Sequence, residues 1–280
     1  MVKGLTRSLG FTLMEMVTVL VILGIVLVGI GSFVTFGTQI YVDSNAADRV
    51  IGSSRFAIQR MTRELRTALP NSVRLNSNNI SFQCLEFVPT VTSTSYLDLP
   101  FVPASAANTG KVFLDKKPSS NGQSNSDIAA NQRAYVYPVT TAEVYSPSSN
   151  PRKYADIQNA SSTGDVVNLI FTRSTQFAER SPSERMFFTH QPVSYCVQGS
   201  QLLRYANYGF HAIQRFPNQM GTGSLMAQNI VNSLNQSNNR PFFIDQATLE
   251  HSAIIRVQPI FNFNGSQFQY HHQVQVLNVP

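Results

Sequence analysis

FTLMEMVTVLVILGIVLVGIGSFVTFG, residues 11–37, is the stretch on which the reading of this chain turns. No lysine, arginine, aspartate or glutamate falls within residues 16–39. A helix over 11–37 measures roughly 39 Å, more than a hydrocarbon core of about 30 Å. Lys3 and Arg7 precede it and the next charge is Asp43. The stretch therefore predicts a membrane span with its amino end in the cytoplasm and the remainder outside. A cleaved secretory signal fits poorly, because the run is too long and no small-x-small site leads to an obvious mature start. A plain signal anchor is the other ordinary reading, and Glu15 speaks against it. This carboxylate lies four residues into the apolar run, where mid-bilayer placement costs at least about 2.5–3.5 kcal/mol. It needs a counter-charge, and a cut between Gly10 and Phe11 would supply one as the new ammonium of Phe11.

The whole chain has 280 residues, 42% apolar and 13% charged, too apolar and too weakly charged for a disordered chain. Its 21 basic residues exceed 15 acidic ones; without Lys3 and Arg7 the balance is 19 to 15. That excess argues against a dedicated nucleic-acid binder.

Gly10-Phe11-Thr12-Leu13-Met14-Glu15, after a short basic leader and before an unbroken apolar helix, resembles the class III signal of type IV pilins and type II secretion pseudopilins. The resemblance implies a membrane peptidase that cuts after Gly10 and methylates Phe11, and it makes Glu15 the residue that pairs with a neighbouring subunit's amino terminus. One departure is visible: many major pilins carry a proline in this span, and here none occurs before Pro70. Gly24, Gly29, Gly31 and Ser32 are the weak points instead, each glycine costing about 1 kcal/mol of helix propensity.

Beyond the span, Ile51, Ile58, Met61, Leu65 and Leu69 fall at heptad-like spacing and extend the helix as an amphipathic segment. Leu69-Pro70 ends it. Ser and Asn around 43–45 and 52–54 predict a bend. From Val73 the signals are mostly strands: residues 80–88, residues 166–171, a hairpin of 193–197 with 202–205 around Gly199, and a terminal hairpin of 253–263 with 268–276 around Asn264-Gly265. Helical periodicity after Pro70 is confined to 225–234. Residues 118–132, 146–165 and 217–240 read as polar loops. The expected fold is α+β and pilin-like, a long amino-terminal helix on antiparallel sheet. Its parts are a leader (1–10), a spanning half (11–37), a soluble half (38–69) and a β-rich periplasmic head (70–280).

Cys84 and Cys196 would lie outside the cytoplasm, in an oxidising compartment that favours a disulfide over two free thiols. The loop closed is worth up to roughly 4–5 kcal/mol. His190 is six residues from Cys196 but no orienting carboxylate motif accompanies it. His190, His211, His251, His271 and His272 lack metal-ligand spacing, and no phosphate loop, nucleophile elbow or carboxylate pair is present. The expectation is a non-catalytic protein without cofactor or metal. Arg49, Arg55, Arg60, Arg63 and Arg66 against Asp48 and Glu64 give the soluble half a basic face, readable as a solvated surface or as a contact with acidic neighbours or DNA.

Cys84-Leu-Glu86-Phe-Val88-Pro89, Tyr96-Leu-Asp98-Leu-Pro100 and Val193-x-Tyr195-Cys196-x-x-Gly199-x-x-Leu202-x-Arg204 resemble the larger minor pilins, those of MSHA-type (mannose-sensitive haemagglutinin) pili and the J-type pseudopilins. The implied function is to prime filament assembly near the tip. Its partners would be major and minor pilins, the prepilin peptidase/methylase and the inner-membrane assembly platform. The alternatives are a secretion pseudopilin tip component and a tip adhesin or DNA-binding subunit.

Overall fold

The computed structural model describes residues 10, 12–114, 126–245 and 253–276. Helix α1 (Leu13–Arg66) runs without interruption through both places where Ser and Asn content predicts a bend. It stops three residues before Leu69. The amide of Leu69 instead donates to the carbonyl of Val88 at 2.8 Å, Ala68 bridges Pro89, and the chain thereby joins the sheet. Pro70 forbids continuation in any case. The chain divides within α1 into two compact units, the first reaching Ile51 and the second beginning at Gly52.

In the first unit every residue of 13–45 is exposed, and α1 holds the one stretch, among the described residues, long and apolar enough to cross a membrane. Its hydroxyls turn inward: Ser32 donates to Val28 O (3.1 Å), Thr35 to Gly31 O (2.9 Å) and Thr38 to Val34 O (3.0 Å). A hydroxyl satisfied in this way adds little polarity to an apolar helix.

The strands of the second unit are β1 (Arg74–Ser77), β2 (Phe82–Phe87), β3 (Thr90–Asp98), β4 (Ala107–Phe113) and β5 (Arg133–Val136). After a one-turn helix α2 (Thr141–Tyr145) come β6 (Tyr154–Thr163), β7 (Val166–Thr175), β8 (Arg185–Thr189), β9 (Val193–Gln198), β10 (Gln201–Ala206) and β11 (Ser224–Ala227). The last are β12 (Phe242–Asp245), β13 (Ala253–Val257), β14 (Ile260–Phe263), β15 (Ser266–Gln269) and β16 (His272–Val276). All named pairings are antiparallel.

The first core lies between α1 and a five-stranded sheet of order β1-β2-β9-β10-β11. Ala57, Ile58, Met61 and Leu65 meet Leu85, Phe87, Tyr195 and Val197 there, so the heptad-like stripe is the buried face. Ile51 departs from it and is exposed. The 193–205 hairpin turns at Gly199, whose φ of 56° suits glycine. Every residue of β2 is buried. The second face is covered by residues 207–220: Phe216 sets its ring edge-on against Phe82, and Gln214 donates to Cys84 O.

The terminal hairpin keeps one register from Ala253↔Val276 to Phe263↔Ser266, but its ladder divides at Gln258-Pro259. Proline has no amide, and Gln258 N donates to Pro241 O instead. β12, β13 and β16 form a sheet tied to β2 by the amide of Gln83, which donates to Phe242 O (3.0 Å) and accepts from Phe242 N (3.1 Å). Residues 225–234 are not helical: β11 pairs with β10, and Ile230 bridges Phe261.

The second core is a closed barrel, β3-β4-β7-β6-β5-β8, filled by Tyr96, Phe101, Leu169, Phe171, Phe177 and Phe188 among others. The sequence signals for it are weak. β6 occupies ten residues of the stretch 146–165 that reads as a loop, because half of Tyr154–Thr163 faces water with Asn, Ser and Thr. Residues 217–240 likewise hold β11, and the loop expected at 118–132 lies partly outside the described residues.

Candidate functional site

Gly10 is exposed ahead of α1, with open space around it; Phe11 lies outside the described residues. Thr12 caps the helix. Its carbonyl accepts from Glu15 N (3.1 Å) and Met16 N (3.2 Å), and its Oγ1 accepts from Glu15 N at 3.3 Å. The spacing Thr12-x-x-Glu15 is a capping-box signature, a local signal in the same hexamer that reading it for cleavage passes over. A carboxylate in the first turn also meets the positive end of the helix dipole. Glu15 thus has a reason to sit at the helix start, while its carboxylate stays exposed with no cationic partner among the described residues. Thr18 Oγ1 donates to the Glu15 carbonyl at 2.9 Å and leaves the carboxylate outward.

The other end of α1 is held by charge. Glu64 accepts from Arg60 Nε at 3.1 Å and from Arg204 Nε of β10 at 3.0 Å. Beneath this triad the Tyr195 hydroxyl is pushed up from its ordinary pKa, first by burial and then by the negative charge of Glu64. Arg60 therefore helps to seat the helix, whereas Arg55, Arg63 and Arg66 remain exposed.

Cys84 and Cys196 are disulfide-bonded and stand opposite one another on β2 and β9, their Cα atoms 4.0 Å apart. Both are fully buried, with Phe82, Tyr205 and Met220 around them. Two residues along β2, Glu86 is 1% exposed and paired with Arg74. Tyr208 donates to Glu86 Oε1 at 2.8 Å and shares a 2.8 Å hydrogen bond with Ser194. Arg74 also donates to the carbonyls of His211 and Ala212, each at 2.8 Å, and lies over the Tyr145 ring. Burial, then the Glu86 charge, pushes the hydroxyls of Tyr145 and Tyr208 far above their ordinary value. This cluster fastens residues 207–212 to β2, and sequence reading missed it because its members are scattered from Arg74 to Ala212.

Phe210 carries the same segment to the barrel, where the Arg133 guanidinium lies 4.0 Å from its ring and 4.1 Å from that of Tyr154. Arg133 is ion-paired to Asp156 at 2.7 Å. Both thiols are consumed in the disulfide, so Cys196 offers His190 no thiol nucleophile. Among the described residues no group of three or more His, Cys, Asp or Glu side chains could hold a metal ion; His251 lies outside them. The surface depression beside Phe82 and Phe216, about 390 Å³, is lined by uncharged side chains.

No protein-family model matches the chain, and no curated protein or solved structure is significantly similar to it.

Proposed function

We propose that this chain is a minor subunit of a type IV pilus of the MSHA kind. In this reading it is made as a prepilin in the inner membrane, amino end in the cytoplasm and head in the periplasm. It is cut after Gly10, N-methylated on Phe11 and extracted into a filament whose assembly it helps to start, near the tip. The observation that carries the reading is a single carboxylate, Glu15, at the head of a helical stretch, residues 16–39, that is uncharged, apolar and exposed all round. Such a helix needs lipid or other apolar helices around it. In that setting a neighbouring subunit's Phe11 ammonium is the natural counter-charge, and lateral assembly becomes the least costly way to neutralise Glu15. Supporting it, the soluble end of α1 lies on antiparallel sheet as a pilin head requires. The added barrel favours a subunit used sparingly over one repeated along a thin fibre.

Mass spectrometry of the membrane-extracted protein tests the processing step. The expected mature chain begins at methylated Phe11, and Gly10→Ala keeps residues 1–10. Glu15→Gln should lower incorporation into filaments about a hundredfold or more, the order expected when a buried ion pair loses one member. A native chain that retains its first ten residues, or a Glu15→Gln protein incorporated normally, rejects the reading. Co-purification with pilus subunits, as opposed to secretion components, separates it from the pseudopilin alternative.

A further inference from the structure

After Arg256 the sequence holds no lysine, arginine, aspartate or glutamate. Within that stretch β15 and β16 follow one another from Ser266 to Val276, about 36 Å of extended chain. β16 is the outer strand of the sheet β12-β13-β16 and β15 pairs with β14 alone, so among the described residues the far side of both is an edge. One bond sets the parity of that edge. Tyr270 N donates to Pro259 O at 3.0 Å, and in an antiparallel ladder every second residue repeats that direction. Phe268, Tyr270, His272, Val274 and Val276 therefore turn their backbone groups towards the partner strand. Gln267, Gln269, His271, Gln273 and Gln275 turn theirs outward, and the side chains of these five are exposed.

A strand edge left in water is ordinarily guarded by brevity, a charge, a proline or a bulge. The other open edges follow that rule: β1 and β11 have four residues each, and β12 ends on Asp245, ion-paired to Arg256 at 2.9 Å. The β15–β16 edge is longer than any of these and carries no such guard. Its side chains also define what fits. A glutamine amide both donates and accepts, so this row matches amide or hydroxyl side chains across a strand pair, at about 5 Å between Cβ atoms. A charged side chain laid there would lose water without gaining a counter-ion. A second copy fits poorly. Two like edges pair antiparallel about an axis normal to the sheet, which would reverse the α1 segment packed on that sheet, whereas copies entering one membrane by the same span run the same way.

We propose that β15–β16 is a docking edge for an uncharged β-strand of a different protein, which lengthens the sheet by strand addition. The outward backbone groups of Gln267, Gln269, His271, Gln273 and Gln275 supply the hydrogen bonds. The glutamine side chains select a strand with Ser, Thr, Asn or Gln at alternate positions. The proposal goes beyond the pilus reading and does not require it, since the edge belongs to the terminal hairpin alone.

The test places benzoylphenylalanine at Gln275 of the full chain, illuminates membranes of the native host and sequences the adduct. The expected adduct joins a different protein at a segment free of charged residues, with Ser, Thr, Asn or Gln at alternate positions. Gln273→Pro removes one outward N–H and leaves the bonds to β13 in place, so it should lower the yield at least about tenfold. Gln273→Thr keeps that N–H and should retain most of the yield. The urea midpoint reports whether the proline variant leaves the head folded. If the midpoint falls, Gln269→Lys with Gln273→Lys takes its place and should lower the yield several-fold. Adducts with a second copy, with lipid alone or at a charged segment, no adduct, a yield unmoved by proline or lysine, or an equal loss in Gln273→Thr would overturn the proposal. Amino-terminal mass measured on the same sample keeps this outcome separate from the fate of the prepilin reading.

Discussion

Glu86 illustrates how one side chain sets the conditions for its neighbours. With 1% exposure it depends on Arg74 and Tyr208, and removal of either partner would leave a buried acceptor unsatisfied. Burial first, and then the Glu86 charge, raise the pKa of Tyr145 and Tyr208; burial is also the leading cause of the raised values of Tyr135 and Tyr195. A hydroxyl that keeps its proton more firmly when folded contributes stability that is intact below the ordinary value of 10.0 and is lost as pH rises above it. Urea unfolding should therefore give a stability unchanged by these groups below pH 10 and falling above it. Tyr208→Phe should cost about 1–3 kcal/mol at neutral pH, since Glu86 and Ser194 each lose a hydrogen bond, and should make the alkaline decline shallower. An equally steep decline in that variant would show that Tyr208 is not one of the groups responsible.

At the scale of the element, α1 changes character along its length. Residues 13–45 offer apolar side chains on all sides, whereas from Ser54 onward a single face is buried against sheet. The second part behaves as an ordinary amphipathic helix whose seat depends on a few side chains. Leu65 and Met61 are both 0% exposed. Leu65→Ala should destabilise the head by about 2–5 kcal/mol, the range for a buried leucine whose site cannot fully close; calorimetry or urea titration measures it. The spacing of Ile58, Met61 and Leu65 already marks this face in the sequence, because a helix repeats every 3.6 residues and local geometry alone puts them in line. The terminal hairpin is legible for the same kind of reason, as alternation places Ile255, Val257, Phe261, Val274 and Val276 in the core. Residues 225–234 mislead because apolar residues at mixed spacing fit both a helix and a strand, and their partners on β10 and β14 lie far away in sequence.

At the scale of the molecule, the two largest hydrophobic clusters among the described residues lie under α1 and inside the barrel, and residues 207–216 are fastened to β2 on one side and to the barrel on the other. The Cys84–Cys196 bond belongs to the sheet side and joins positions 112 apart in sequence. Replacing both cysteines by alanine should lower stability by up to about 4–5 kcal/mol, the loop-closure estimate for such a length, seen as a lower urea midpoint; an unchanged midpoint would mean the β2–β9 ladder alone holds that register. Local patterns in the sequence determined the apolar span, the amphipathic stripe that follows it, the α+β class and the two clearest hairpins, because each depends on neighbours within a few residues. The expected placement of both cysteines outside the cytoplasm made the cystine an expectation without telling which strands would face each other. The barrel, the buried reverse side of β2 and the Glu86 cluster were decided only in three dimensions. A strand with one wet face carries Ser, Thr and Asn like a loop, and what buries its other face is chosen by pairings that sequence-local rules do not contain.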